Sequence, residues 1–163
     1  MIPNFKKSGL LPEGVHLANW EAFKARFVIN SYRDTLLRGM EEGLKLLYEF
    51  GCKEVYVGGS YVTDNPEPGD VDVLYDNTNM HWKVFLREHP EFGTKPYLVR
   101  QRKKKYNTDF LAVNAFEDYL VQFFQFDRDG NSKGIIKLNL AEIFEHDKER
   151  KAITNHKKKT GGD

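Results

Sequence analysis

Two aspartates one residue apart, Asp70 and Asp72, follow a Gly58-Gly59-Ser60 turn, with Tyr61 to Gly69 as the loop between them. The run Val71-Asp72-Val73-Leu74-Tyr75 reads as a strand. Its period-two alternation would put Asp70 and Asp72 on one face and Val71 and Val73 on the other. Two carboxylates beside a buried wall repel each other unless a cation neutralises them. Hard divalent ions such as Mg²⁺ take oxygen ligands of this kind together with substrate phosphates. Gly58 and Gly59 would let the backbone approach a phosphate closely, and Ser60 adds a hydroxyl donor. The segment therefore predicts a metal-phosphate site, with the aspartates on metal and the Gly-Gly-Ser turn on phosphate.

Short strands and helices must position that segment. Val55-Tyr56-Val57 is a β-prone run leading into the turn. Upstream, Asn19 is expected to cap a short helix with Trp20, Phe23 and Phe27 on one side. Ser31 is expected to cap a longer helix with Leu36, Met40, Leu44 and Leu47 as its apolar stripe, stopping at Gly51. Downstream, Asn79 would cap a helix carrying Trp82, Phe85 and Leu86, which Pro90 ends. Thr94 would cap another that includes Leu98 and the run Arg100 to Lys105, although Tyr97-Leu98-Val99 would also serve as a strand. Phe110 to Val113 reads as a strand, Tyr119 to Phe126 with Ile135 to Leu140 as a hairpin around Asp129-Gly130-Asn131, and a final helix carries Ile143 and Phe144. Helices on both sides of short strands predict one α/β or α+β domain over residues 1–155, built on a mixed sheet flanked by helices. Residues 156–163 read as a disordered basic tail.

With 163 residues, 40% of them hydrophobic, the chain can bury one sizeable core. Its 25 Lys and Arg against 24 Asp and Glu leave a formal net charge of +1, so no global field draws in DNA, RNA or an anionic membrane, and any polyanion site must be local. The single Cys52 excludes an internal disulfide and points to a reducing, cytoplasmic setting. No run of about 18 apolar residues predicts a membrane span. Asp127-Arg128-Asp129-Gly130-Asn131 opens like a calcium loop, but Ser132 and Leu138 occupy the positions that need Gly and Glu, and a turn is the better reading. The five histidines lack zinc spacing, and Ser60 lacks the Gly-X-Ser-X-Gly elbow of a hydrolase. Tyr61 and Tyr106 are base-stacking candidates, with packing in the core or at its rim as the stronger reading.

A hydrophobic strand, Gly-Ser, a nine-residue loop and then Asp-Val-Asp-Val resembles the signature of the DNA polymerase beta-like nucleotidyltransferase superfamily, most of all its small stand-alone members. Leu11 to His16, Gly59 to Thr63, Pro68 to Val73 and Asp127 to Ile135 resemble a family of short uncharacterised microbial proteins within that group. The resemblance implies a nucleotidyltransferase-like fold, two Mg²⁺ ions, and transfer of a nucleoside monophosphate from a triphosphate such as ATP to an acceptor hydroxyl. It implies Gly58, Gly59, Ser60 and Thr63 as nucleotide-binding residues, and Asp70 and Asp72 as the first two metal carboxylates. Asp109, which opens the strand Phe110 to Val113, is the candidate third carboxylate, on metal and helping to deprotonate the attacking hydroxyl. Many relatives carry Arg in the loop where this chain has Thr63, so phosphate charge must be met elsewhere. The run Arg100 to Lys105 and Lys133 are the available sources, the run reading otherwise as a solvated basic face. The acceptor would lie on a protein or RNA partner, as in toxin-antitoxin or defence systems. The alternative is a catalytically silent nucleotide-binding or protein-interaction module on the same fold.

Overall fold

The computed structural model describes residues 1–114 and 118–145. Val, Ile, Leu and aromatic residues at alternating positions build the strands β1 (Val15–Leu17), β2 (Glu54–Gly58), β3 (Asp72–Asp76), β4 (Asp109–Val113) and β5 (Ile135–Asn139). They form one mixed five-stranded sheet in the order β1-β5-β2-β3-β4. β2 is antiparallel to both β3 and β5, whereas β3 is parallel to β4 and β1 to β5. The fold is α+β, as the sequence pattern predicts.

Helices α1 (Trp20–Phe27), α2 (Ser31–Glu49), α3 (Trp82–Glu88), α4 (Pro96–Tyr106) and α5 (Asp118–Phe123) fill the intervals between strands. Asn19 caps α1 by accepting from the Ala22 N–H. At α2 the cap is Asn30, accepting from the Arg33 N–H at 2.8 Å, and Ser31 is the first helical residue. No side-chain cap closes α3 or α4, whose N-caps are His81 and Lys95 in place of Asn79 and Thr94. The buried stripe of α2 runs through Leu37, Met40, Leu44 and Leu47, with Leu36 only half-buried. Gly39 and Gly43 lie on the same helix, where a Cβ would collide with the Tyr106 carbonyl and the Phe110 ring, so α2 settles directly onto α4 and β4. The lead-in Leu11 and the aromatics Phe23 and Phe27 complete the core.

The expected hairpin between Tyr119–Phe126 and Ile135–Leu140 does not form. Residues 118–123 are helical, and the main-chain bonds of β5 are satisfied by β1 and β2 instead. The Phe126–Ser132 bridge closes a turn around Gly130, which the Asp127 carboxylate organises by accepting from the Asp129 and Asn131 N–H groups. The three-residue β1 was not expected at all. Residues 140–145 are helical, in keeping with the final helix expected there, and the tail 156–163 lies outside the described residues. Among the described residues no helix is long and apolar enough to cross a membrane.

Candidate functional site

β2 ends at Gly58, which pairs in register with Asp72 at the start of β3, and Asp72 in turn pairs with Asp109 at the start of β4. Registered neighbours project from the same face of a sheet, so this row carries a glycine and two carboxylates side by side. The chain leaves β2 through Gly59, at φ 75 and ψ −173, a backbone region essentially restricted to glycine. It then makes a 3-10 turn over Ser60–Val62.

Asp70 was expected within the strand, but the strand begins at Asp72 and Asp70 precedes it. The reason is local. The Ser60 N–H (2.9 Å) and hydroxyl (2.6 Å) both donate to Asp70 Oδ1, and the Asp70 N–H donates back to Ser60 Oγ at 3.3 Å. A Cβ built on Gly59 would stand 2.9 Å from Asp72 Oδ2 and 3.2 Å from Asp70 Oδ1, so both carboxylates close around this one glycine. The Ser60 donors expected on phosphate are thus directed at Asp70 in this structure. The Thr63 hydroxyl donates to the Ser60 carbonyl at 2.7 Å and accepts from the Asn65 N–H, bracing the turn.

The three aspartates have unequal surroundings. Burial, followed by the neighbouring Asp70 and Asp109 charges, pushes the Asp72 carboxyl up to about 6, against a weaker downward pull from Lys133 and Lys103. Partial burial also pushes Asp70 upward, but the two Ser60 donors, with Lys133 and Arg128, outweigh it and hold the group below its ordinary value. Asp109 accepts at Oδ1 from Arg102, with Nη2 at 2.9 Å and Nε at 3.3 Å. Arg102 is 2% exposed and also donates to the Glu91 and Gly93 carbonyls. The run Arg100 to Lys105 is therefore not a uniform basic face: Arg102 is turned inward, while Arg100, Lys103, Lys104 and Lys105 are exposed.

The Gly-Ser turn, Asp70 and Asp72 form one side of a cavity of about 740 Å³. Lys103, Arg128 and Lys133 also line it, as do Phe123, Phe124 and Phe126. Lys103 and Lys133 belong to the expected sources of phosphate charge. Arg128 was missed, because the Asp127-Arg128-Asp129-Gly130-Asn131 segment was weighed as a calcium loop and read as a hairpin turn, with no role given to its arginine. Tyr61 and Tyr106 are buried in the core, at 0% and 1% exposure, which removes them as stacking candidates.

Arg33 was also missed. It is buried at the start of α2 and donates to the carbonyls of Phe27, Tyr61, Thr63 and Asn65, with its guanidinium over the Tyr61 ring at 4.9 Å. Asn30 reaches the Pro66 carbonyl and the Tyr32 hydroxyl the Pro68 carbonyl. The loop from Tyr61 to Gly69 is thereby bracketed to the start of α2, and the position of Asp70 is fixed from outside the sheet.

Among the described residues no group of three His, Cys, Asp or Glu side chains is arranged to hold a metal ion. Asp70 and Asp72 meet at Gly59, whereas Asp109 is drawn to Arg102. The donor set nevertheless suits a hard cation, because Asp72 sits between two other carboxylates and its ionised form is disfavoured without added positive charge.

Fold and site together describe an α+β protein whose Gly-Ser turn, Asp70 and Asp72 line one cavity with Lys103, Arg128 and Lys133, while Asp109 lines a neighbouring cavity that Asp70 and Lys103 share. The chain belongs to a family of unknown function, DUF6932, whose model matches residues 3–139. No curated protein and no solved structure matches it.

Proposed function

We propose that the chain is a Mg²⁺-dependent nucleotidyltransferase, moving a nucleoside monophosphate from a nucleoside triphosphate to an acceptor hydroxyl on a protein or RNA. The observation that carries this reading is the register Gly58–Asp72–Asp109 across three strands, with Asp70 clamped to Ser60 beside it, three cationic side chains in the cavity that Asp70 and Asp72 line, and Asp109 in the neighbouring cavity that Asp70 and Lys103 share. The acceptor oxygen would bond to the α-phosphorus as the bond to the bridging oxygen of pyrophosphate breaks, and pyrophosphate leaves. Asp70 and Asp72 would hold the divalent ions, which when bound supply charge neutralisation on the entering and leaving oxygens. Lys103, Arg128 and Lys133 would bind the phosphates. Arg102 engages Oδ1 of Asp109 and fixes the carboxylate, leaving Oδ2 as the oxygen that takes the proton from the acceptor hydroxyl.

A second reading has its own observation. Asp109 is ion-paired with a buried arginine, and an aspartate tied in this way suits a nucleotide-binding or protein-interaction module that lacks transfer activity. Calorimetric titration of ATP, GTP, CTP and UTP with and without Mg²⁺, in the parent and in Asp70→Asn/Asp72→Asn, tests the shared site. Binding that needs both the metal and the aspartates supports it, and metal-independent binding or none would remove it. Pyrophosphate release or labelled acceptor in lysate then supports the transferase. Nucleotide binding that survives Asp109→Asn, with no pyrophosphate released by the parent under any acceptor tested, supports the silent module.

A further inference from the structure

We propose that the exposed rings of Phe123 and Phe126 form a stacking shelf for the nucleobase of the bound nucleotide, one that accepts all four bases alike; this rests on the nucleotide-binding reading above. Phe123 is 71% exposed and Phe126 52% exposed, yet both line the cavity that holds Asp70 and Asp72. Large apolar side chains left in water beside a charged cavity mark a surface meant to be covered. Phe124 differs from its neighbours. Its ring reaches toward Gly58, where a Cβ would meet it at 3.7 Å, and it braces Phe123 edge-on, with centroids 6.0 Å apart at 84°. The main chain of Phe126 is fixed by its bridge to Ser132. Arg128 and Lys133 follow on the same turn, so this segment presents both aromatic faces and phosphate-binding charge to one cavity. A volume of about 740 Å³ is in the range of small-molecule sites.

The shelf offers little to read a base edge. The adjacent carboxylate, Asp127, accepts from the Asp129 and Asn131 N–H groups at Oδ1 and from Asn131 Nδ2 at Oδ2, so three of its four acceptor sites are taken within its own turn. What remains is π faces and cations, a combination that favours any base over none without choosing among them.

The test uses the full chain and Phe123→Ala/Phe126→Ala, both exposed positions, with Phe124 left in place. Each protein is titrated with the Mg²⁺ complexes of ATP, GTP, CTP, UTP and inorganic triphosphate. The parent should bind the four nucleotides within about threefold of one another and each at least about tenfold more tightly than inorganic triphosphate, as expected for stacking of one base. The double variant should lose that advantage while its affinity for inorganic triphosphate is unchanged. Parent-like nucleotide binding by the variant would overturn the shelf and assign the rings to another role, such as docking a protein. Strong preference for one base, or equal loss of triphosphate binding, would also overturn it. If neither inorganic triphosphate nor any nucleotide binds the parent, the nucleotide-binding reading itself falls, and the shelf with it.

Discussion

Replacing Asp72 with asparagine should make the protein more stable at neutral pH, although it removes a residue of the proposed site. Burial and the Asp70 and Asp109 charges lift the Asp72 carboxyl from its ordinary 3.8 to about 6. An unfolded chain loses this proton near pH 4 and the folded one near pH 6, so between those values the folded state binds more protons. Stability contributed by this group therefore falls as pH rises through that window and is flat above it. The shift corresponds to at most about 3 kcal/mol. For a chain of this size that caps the rise in Tm for Asp72→Asn at pH 7.5 at about 6–12 °C, shrinking toward zero at pH 4. Thermal unfolding of parent and variant across pH 4–8, without divalent ions, measures it. A variant less stable than the parent at pH 7.5, or a difference that does not change with pH, would refute the electrostatic account of the site.

Arg102→Leu should destabilise the fold by about 3–5 kcal/mol in urea titrations, because it leaves Asp109 and the Glu91 and Gly93 carbonyls without their buried partner. Asp109→Asn should do less harm, since Arg102 keeps both carbonyls; equal losses would show that the ion pair carries the whole effect. Gly59→Ala should lower stability by about 1–3 kcal/mol from backbone strain alone and displace both nearby carboxylates, so Mg²⁺-nucleotide binding should be lost in calorimetry even where the variant remains folded. Burial pushes the Cys52 thiol up to about 12, so alkylation at pH 8 should be negligible in the folded protein and rapid in urea; fast labelling of the native state would contradict that placement.

Where a single local pattern decides an element, the sequence is enough to place it. The apolar period of α2 and the β-prone runs 55–57 and 110–113 appear in the structure, and the run 71–75 does so one residue later, at 72–76; the adjacency of Gly58, Asp72 and Asp109 was not legible, because it depends on strand order and register, which no local pattern fixes. Asp70 could not be placed, because alternation assumes a strand and the Ser60 bonds draw the residue out of it. The segment from Tyr119 to Phe126 alternates well enough for a strand, but strand partners are chosen by the whole sheet, and β5 found them in β1 and β2. Arg102 carried a readable sign: Leu98, Arg102 and Tyr106 fall at spacings of four on α4, so the arginine lies on the helix's inward stripe. Arg33 carried the same sign, standing four residues before Leu37 on the buried stripe of α2, but its role was not legible, since most of its partners are carbonyls of a loop some 30 residues away and backbone acceptors leave no mark in a sequence.

Among the described residues, β5 is the last strand made, although it lies inside the sheet. β5 enters between β1 and β2, so until residues 135–139 leave the ribosome β1 has no partner and β2 presents an open edge. Translation must therefore run almost to the end of the described chain before the fold can close. The segment that delivers β5 also carries Arg128 and Lys133, so the cationic wall of the cavity arrives in the same closing step. A nascent or truncated chain ending before residue 135 would own all three aspartates yet lack the strand that closes the sheet, which ties assembly of the cavity to the closing of the sheet.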